Sequence, residues 1–379
     1  MRRETETALV TELLGLKENG SAFLEDGVPP SPVGIYTDPA HFDAERDSVL
    51  RQLPLPAAHA SELDQANSFV TRQVAGFPVL MTRDSTGKAH AYLNICRHRG
   101  TRLVNAERGR RARFTCPYHA WTWDKTGALQ SVPHEALGFP DLDRGAYGLV
   151  KLGCSERYGW VWVAADGERP DVDAHLGELV ADFEGFNAAS HRVVHSDVEE
   201  RALNWKILIE GGLEAYHFRV AHKKTIGPYF EDNLSTYQTF GPNLRSILAR
   251  RTLHELADAP QETWRLRDHA QLLYTVMPTT QLLVQSDHIA WLQLEPLGPA
   301  RTRIRSSTLA PVDRLDTEKD IAHWAKNHAI LMDTIREDFA IGESIQAGLG
   351  TGANTHLTFG RFEGALAAFN RLVDEQMSA

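Results

Sequence analysis

Four residues of the types that bind soft metal ions lie in two short segments of the chain. Cys96 and His98 are separated by one residue, and Cys116 and His119 by two. Thiolate sulfur and imidazole nitrogen are ligands of zinc and of iron–sulfur clusters. The set therefore predicts either one tetrahedral zinc ion or a two-iron cluster with mixed ligation. Zinc sites more often pair cysteine with cysteine and histidine with histidine, so the mixed pairs favour the cluster.

A second group of residues suited to metal binding lies about a hundred residues further on. His217 and His222 are five residues apart, and Glu214 precedes His217 by three. On a continuous helix five residues rotate by about 140°, which is too wide for one metal ion. Both histidines can bind one ion only if the helix ends or bends between them, whereas Glu214 shares the face of His217. In a chain with 17 histidines such a pair is also expected by chance.

The cysteine pairs lie in a region whose pattern predicts only strands. Three short apolar or β-branched runs precede the Cys96 loop, a further strand leads into the Cys116 loop, and each pair is expected at the tip of a hairpin. The predicted strands cover residues 68–72, 78–83, 89–94 and 113–115.

The pattern after residue 170 mixes helices and strands, which indicates an α+β fold with an antiparallel sheet. A helix is expected over 203–219, where Gly211-Gly212 marks either a kink or close packing. A long helix is expected from Thr317, near its start, to about 346, and a terminal helix over 361–377. Strands are expected near 193–200, 244–252, 271–276, 281–285, 290–295 and 301–309.

Composition limits the class of protein. At 379 residues two domains are expected, and a formal net charge of -10 argues against nucleic-acid binding. No run of 18 or more apolar residues predicts a membrane span, and the N-terminus does not have the pattern of a signal peptide. Of three cysteines, two belong to the metal motif, and Cys154 is expected to be a small buried residue. These features indicate a cytoplasmic protein without a disulfide framework.

The segments around the first ligand set resemble a known family. Cys96-Arg97-His98-Arg99-Gly100 and Cys116-Pro117-Tyr118-His119-Ala120-Trp121 closely resemble the Rieske [2Fe–2S] motif. The resemblance implies that Cys96, His98, Cys116 and His119 bind the cluster, with both cysteines on one iron and both histidines on the other. One departure is Ala120, because the family often has glycine there.

The second group resembles the mononuclear-iron motif of Rieske non-haem iron oxygenases. The segment from Asn204-Trp205-Lys206 to His222 carries the lead-in and the spacing of that motif. The resemblance implies His217 and His222 as iron ligands. It also implies that Glu214 forms a hydrogen-bonded bridge to a Rieske histidine of a neighbouring subunit.

The third iron ligand is implied by the helix that follows. Glu337-Asp338 and the later Gln346 resemble the family's Glu-Asp…Gln helix, which makes Asp338 the third ligand and Glu337 its nearest rival. Two histidines and one carboxylate then form a facial triad with open positions for oxygen. The family more commonly has aspartate at position 214, and glutamate occurs in branches that oxidise quaternary amines.

The resemblance covers most of the chain from about residue 36 and implies its organisation. We expect an N-terminal all-β Rieske [2Fe–2S] domain before a helix-grip catalytic domain, in which an antiparallel sheet wraps on long helices. The expected boundaries are 1–40 for a segment that packs on the catalytic domain, 41–166 for the Rieske domain and 167–379 for the catalytic domain.

The implied activity is that of a terminal oxygenase. Electrons from NAD(P)H would arrive through a separate reductase or ferredoxin, since the chain shows no dinucleotide-binding motif of its own. With O2, the protein would hydroxylate or oxidatively demethylate a small organic substrate at mononuclear Fe(II). The alternatives are an aromatic-ring cis-dihydroxylating dioxygenase, a Rieske electron carrier without catalysis, and a zinc-binding scaffold. A homotrimer is implied, and the identity of the substrate stays open.

Overall fold

The computed structural model describes residues 1–378, which form two compact units. One unit contains Met1–Leu50 and the described residues from Asp173 onward, and the other contains Arg51–Val172. The second unit, called the all-β unit below, corresponds to the expected Rieske domain. It thus begins at Arg51 rather than at the expected residue 41. The segment before it belongs to the other unit because the buried Glu45 carboxylate accepts a hydrogen bond from Trp205 Nε1 at 3.1 Å and pairs with the Lys206 ammonium group.

The helices and strands are numbered along the chain. The α-helices are α1 (Arg3–Glu18), α2 (Gly34–Thr37), α3 (Pro39–Glu45), α4 (Glu135–Gly138), α5 (Val172–Leu176), α6 (Val180–Phe186), α7 (Trp205–Leu213), α8 (Phe218–Ala221), α9 (Leu266–His269), α10 (Glu318–Leu349) and α11 (Gly364–Ser378). The strands are β1 (Ser31–Pro32), β2 (Leu55–His59), β3 (Ser68–Val74), β4 (Phe77–Arg83), β5 (Ala89–Leu93), β6 (Arg108–Arg110), β7 (Arg113–Thr115), β8 (Thr122–Asp124), β9 (Leu129–Ser131), β10 (Lys151–Arg157), β11 (Trp160–Ala164), β12 (His191–Arg201), β13 (Phe230–Phe240), β14 (Asn243–Arg250), β15 (Ala270–Val276), β16 (Thr280–Val284), β17 (Ile289–Gly298), β18 (Arg301–Pro311) and β19 (His356–Leu357).

The all-β unit contains two antiparallel sheets. Seven strands pair in the order β2-β11-β10-β5-β4-β3-β6, and three pair in the order β7-β8-β9. One hydrophobic cluster joins Phe69 and Tyr92 of the larger sheet to Phe114 and Trp123 of the smaller sheet. The same cluster contains Cys96 and Cys116, so the core of this unit supports the loops that carry the cysteines.

The other unit is built on one antiparallel sheet in the order β12-β18-β17-β16-β15-β14-β13. At least six helices of the described residues contact this sheet, among them α7, which contacts β15 and β17, α10, which contacts β12 and β18, and α11, which contacts β14. Because α7 also contacts both α10 and α11, the three helices form one layer over the sheet. This arrangement confirms the expected α+β class with an antiparallel sheet packed on long helices.

The start of the long helix and the close packing at the glycine pair are confirmed, whereas one helix ends earlier than predicted and one strand was not predicted. Thr317 begins the long helix, where its hydroxyl accepts a hydrogen bond from the Asp320 N–H at 3.1 Å. Strand β13 has no predicted counterpart. The helix predicted over 203–219 ends at Leu213, and because it continues through both glycines, they do not mark a kink. Gly212 instead permits close packing, since a Cβ there would lie 3.0 Å from the Gln281 side chain.

No helix within residues 1–378 combines the length and the apolar character required to cross a membrane.

Candidate metal centres and substrate cavity

The four predicted cluster ligands lie in two loops that follow β5 and β7. Both cysteines are buried at 2% exposure. The imidazole rings of His98 and His119 lie 4.8 Å apart between centroids. The indole of Trp121 stacks on His98 at 4.9 Å with an interplanar angle of 4°. The loops therefore bring one cysteine and one histidine each to the same end of the unit.

The backbone of both loops points N–H groups at sulfur. Cys116 Sγ accepts from the Tyr118 N–H at 3.4 Å, and Cys96 Sγ accepts from the N–H groups of His98 and Arg99. Such donors stabilise negative charge on a metal-bound sulfur, although burial raises the pKa of the free Cys96 thiol. Each loop needs a left-handed residue to turn: Gly100 has φ 76° and Ala120 has φ 58°. The alanine at position 120 therefore occupies a backbone conformation that glycine adopts at lower cost.

The two histidines have buried ring nitrogens that lack partners. His98 Nδ1 and His119 Nδ1 are both shielded from solvent and form no hydrogen bond with any described residue. A buried nitrogen in this condition is costly unless a ligand satisfies it. Two sulfurs and two unsatisfied nitrogens together fit a cluster with mixed thiolate and imidazole ligation.

The second ligand set is assembled by the end of one helix and one further turn. Helix α7 ends before Glu214, whose backbone is extended at φ -131° and ψ 160°. Helix α8 then spans a single turn, with His217 at its N-terminal boundary and His222 at its C-terminal boundary. Because α8 ends at Ala221, His222 lies outside the helix that starts after His217, and this supplies the break that the five-residue spacing requires.

Three predicted ligands converge on one point. One ligand atom from each of His217, His222 and Asp338 lies within 4.8 Å of the others. The Nε2 atoms of the two histidines are 3.1 Å apart, and Asp338 Oδ1 is 3.0 Å from His222 Nε2 and 3.6 Å from His217 Nε2. Asp338 comes from α10, more than a hundred residues after the histidines. This donor set is the one that non-haem Fe(II) prefers.

Each histidine has a carboxylate on its other ring nitrogen. His217 Nδ1 pairs with Glu214 Oε1, and His222 Nδ1 lies 2.8 Å from Glu337 Oε2. The Thr225 hydroxyl donates to the same Glu337 oxygen at 2.6 Å. Partners of this kind hold the ring orientation and leave Nε2 directed at a metal. Glu337 thus contacts the far side of His222 and does not take the place of Asp338.

The electrostatics of the site favour a cation. Burial alone would lower the pKa of His217, but hydrogen bonds to Asp338 and Glu214 raise it to about 9. The pKa of His222 is raised too, because Asp338 and Glu337 outweigh the effect of burial. Burial would raise the pKa of Asp338, yet the two histidines hold it below its ordinary value. Negative charge is therefore concentrated at the point where the three ligand atoms meet.

A cavity of about 460 Å³ extends from His222 and Asp338 into the unit. Most of its wall is apolar and comes from α10 and the sheet. Phe218 lines the cavity, whereas Trp291 and Tyr274 are buried elsewhere. Polar residues lie together on another part of the wall: Arg250, Gln271, Gln285, Ser286, Asp287, His288, His323 and Asn327.

Family models identify both halves of the chain. The Rieske [2Fe–2S] domain model matches residues 54–140, and the model of the ring-hydroxylating alpha subunit, catalytic domain, matches residues 188–379. The second match spans 192 of 379 residues, which is more than half. The chain belongs to the Rieske ring-hydroxylating alpha-subunit family. It is a Rieske-type oxygenase whose cofactors are a [2Fe–2S] cluster and a mononuclear iron.

Relatives within this family include subunits of monooxygenases and subunits of dioxygenases. The chain is 26% identical over 357 residues to the glycine betaine monooxygenase oxygenase subunit of Chromohalobacter salexigens. The aligned region covers 84% of this chain and 79% of that protein. It is 30% identical over 204 residues to the anthranilate 1,2-dioxygenase large subunit of Acinetobacter baylyi, covering 52% of this chain and 43% of that protein. The fold matches a quaternary ammonium Rieske monooxygenase with a TM-score of 0.78 at 23% identity, over 92% of this chain and 96% of the other.

Proposed function

We propose that this oxygenase inserts oxygen from O2 into a small organic substrate, by hydroxylation or oxidative demethylation, at Fe(II) held by His217, His222 and Asp338. The observation that carries this proposal is the convergence of two imidazoles and one carboxylate at the wall of a largely apolar cavity. Three protein ligands on one side of an iron leave positions open toward the cavity. The bound iron would supply O2 binding, and the cavity would place the substrate beside it.

The surrounding carboxylates prepare the ligands for this role. Glu214 and Glu337 each accept a hydrogen bond from an Nδ1 atom, so both histidines present Nε2 to the metal in the neutral tautomer. The cavity wall near the ligands is apolar, which excludes water that would compete with substrate.

The all-β unit is proposed to deliver electrons. Cys96 and Cys116 would bind one iron of the cluster, and His98 and His119 would bind the other through their unsatisfied Nδ1 atoms. A separate reductase or ferredoxin would pass electrons from NAD(P)H. Purified alone, the protein should not oxidise NADH, and addition of a reductase should restore turnover.

Glu214 is proposed to connect the mononuclear site to His119 of a neighbouring subunit in a homotrimer. Two inactive variants test this arrangement: Cys96→Ser removes the cluster, and His217→Ala removes the mononuclear iron. Coexpressed in one oligomer, they should recover part of the activity, since each subunit would supply the centre that the other lacks. Equal mixtures of the separately purified variants are the control. Failure of the coexpressed oligomer to recover activity would contradict transfer between subunits.

A second candidate function is aromatic-ring cis-dihydroxylation, which the similarity to the anthranilate 1,2-dioxygenase large subunit supports. The glutamate at position 214 and the match over most of the chain to a glycine betaine monooxygenase subunit favour monooxygenation. Turnover under ¹⁸O2 separates the two, because a monooxygenase places one labelled oxygen in the product and a dioxygenase places two.

Metal analysis tests the whole proposal. The protein purified anaerobically should contain about three iron ions per chain, two in the cluster and one mononuclear. His217→Ala should keep the visible spectrum of the cluster, lose about one iron and lose activity. A wild-type protein with only the two cluster irons would instead be an electron carrier, and a colourless zinc protein would refute the oxygenase assignment.

A further inference from the structure

The cavity is long in one direction. The residues of α10 that line it include Asp338, Thr334, Leu331 and Asn327, which follow one face of the helix at spacings of three and four. At 1.5 Å per residue, Asp338 and Asn327 are about 17 Å apart along the axis. A substrate that reaches from the iron to the polar part of the wall therefore has an extended shape.

Arg250 brings a positive charge to this polar part of the wall. Its guanidinium group lies over the ring of Phe230 at 5.7 Å and donates to the side chain of Gln285. The Gln285 amide donates in turn to Gln271 Oε1 at 3.1 Å. These contacts hold the guanidinium in one orientation beside the cavity.

No carboxylate of the described residues is in contact with this guanidinium, and the charges of Asp287 and Asp268 act on it only at longer range. Within residues 1–378 the structure records one hydrogen-bond acceptor for Arg250, the Gln285 side chain, and no ion pair, and its Nε is buried without a partner. Burial also lowers the pKa of Arg250, which shows that its charge is poorly solvated. A desolvated cation without a counter-ion in contact is costly and gains strongly from a bound anion.

The acidic residue on the same wall is already paired. Asp287 accepts from His288 Nδ1 at 2.7 Å and from His323 Nε2 at 2.8 Å. Its charge is thus directed at two imidazoles, whereas the charge of Arg250 has no carboxylate in contact. The wall therefore presents to a substrate a guanidinium group that has no carboxylate in contact.

The path from Arg250 to the iron ligands is lined by aromatic rings. The ring of Phe230 lies 5.1 Å from that of Phe218, which lies 5.4 Å from the imidazole of His222. An anionic group at Arg250 is therefore separated from the iron by a space that suits an apolar body.

We propose that Arg250 binds a carboxylate of the substrate, and that the enzyme acts on organic carboxylates whose apolar portion extends to the iron. This inference rests on the proposed function and names the substrate class for that site. A guanidinium matches a carboxylate through paired N–H···O bonds, and the fixed orientation of Arg250 limits how far the substrate can shift along the cavity. The position of the carboxylate then determines which carbon faces the iron.

Binding can be measured without turnover. The oxygenase with both metals in place is titrated anaerobically, by calorimetry, with phenylacetate, 4-phenylbutyrate and 6-phenylhexanoate, and with the three corresponding primary amides. At least one acid should bind tenfold or more tightly than its amide, because a charge-assisted hydrogen bond to a buried group contributes about 1.5–3 kcal/mol. No binding of any acid up to 10 mM (roughly the weakest affinity that such a bond leaves measurable), or equal binding of acids and amides, would overturn the inference.

Two variants locate the effect at Arg250. Arg250→Gln should abolish the preference for the acid while keeping the cluster spectrum and the iron content. Arg250→Lys retains the charge and should keep a reduced preference, which also covers the case in which the glutamine variant does not fold. The matched control is Arg251→Gln, because Arg251 is exposed, is absent from the cavity wall and donates to the Phe230 carbonyl at 3.2 Å. A preference unchanged in Arg250→Gln would overturn the assignment.

The outcome is distinguishable from failure of the proposed function. Selective binding of acids without any oxygenated product would retain Arg250 as a carboxylate site and refute the oxygenase reaction. Oxygenation of a substrate that has no carboxylate, with normal activity in Arg250→Gln, would retain the reaction and refute the role of Arg250.

Discussion

Glu337 should control how tightly the mononuclear iron is held, although it is not placed as a ligand. Its carboxylate accepts from His222 Nδ1 at 2.8 Å, and His222 is only 1% exposed in its side chain. The Glu337 side chain is 30% exposed, so in Glu337→Ala water can enter, but it replaces the carboxylate only as an uncharged and weaker acceptor. A hydrogen bond to a charged group contributes about 1.5–3 kcal/mol, and 1.4 kcal/mol corresponds to a factor of ten. We therefore expect iron to bind about 10- to 100-fold more weakly.

The assay is competition for Fe(II) with a chelator of known affinity, carried out anaerobically on the protein whose cluster is intact. Asp333→Ala is the matched control, because Asp333 lies one turn earlier on α10, is exposed and changes the net charge equally. Its iron affinity should stay within about twofold of the wild type. An affinity in Glu337→Ala equal to that of the control would refute the view that this carboxylate orients His222.

Three further predictions concern stability. Ala120→Gly should raise the apparent melting temperature of the holoprotein, because glycine relieves about 1 kcal/mol of left-handed strain at φ 58°; a lower melting temperature would contradict this. Lys206→Met should cost about 3–5 kcal/mol by leaving Glu45 buried without its cation, and adding Glu45→Gln should recover much of that loss in a double-mutant cycle. Burial lowers the pKa of His175 in the folded protein to about 4. The usual histidine pKa in the unfolded chain is about 6.5, so between these values the unfolded state binds more protons than the folded state. The free energy of unfolding therefore decreases as the pH falls from about 6.5 toward 4. Calorimetry should show a shallower acid dependence between pH 6.5 and about 4 for His175→Gln than for the wild type.

Local sequence signals predicted most of the elements that carry the ligands. The cysteine–histidine spacing, the strands before each loop and the capped start of α10 depend on interactions between residues close together in the chain. Asp338 was predicted as the third iron ligand from the family resemblance, and the structure brings its carboxylate to the two histidines. The boundary near Arg51 was not predictable from local signals, because it depends on a buried pair between Glu45 and Lys206 that lie far apart in the chain.

By itself, the sequence determined the donor types, their spacing and the family, since these depend on residue identity along short segments. Tertiary structure decided the rest. It showed that α7 ends at Leu213 rather than at the two glycines, because packing of Gly212 on Gln281 supports a continuous α7. It also showed that Glu337 reaches the outer nitrogen of His222 and that Arg250 borders the cavity without a carboxylate in contact. Such facts follow from the packing of distant strands and helices, which no local pattern encodes.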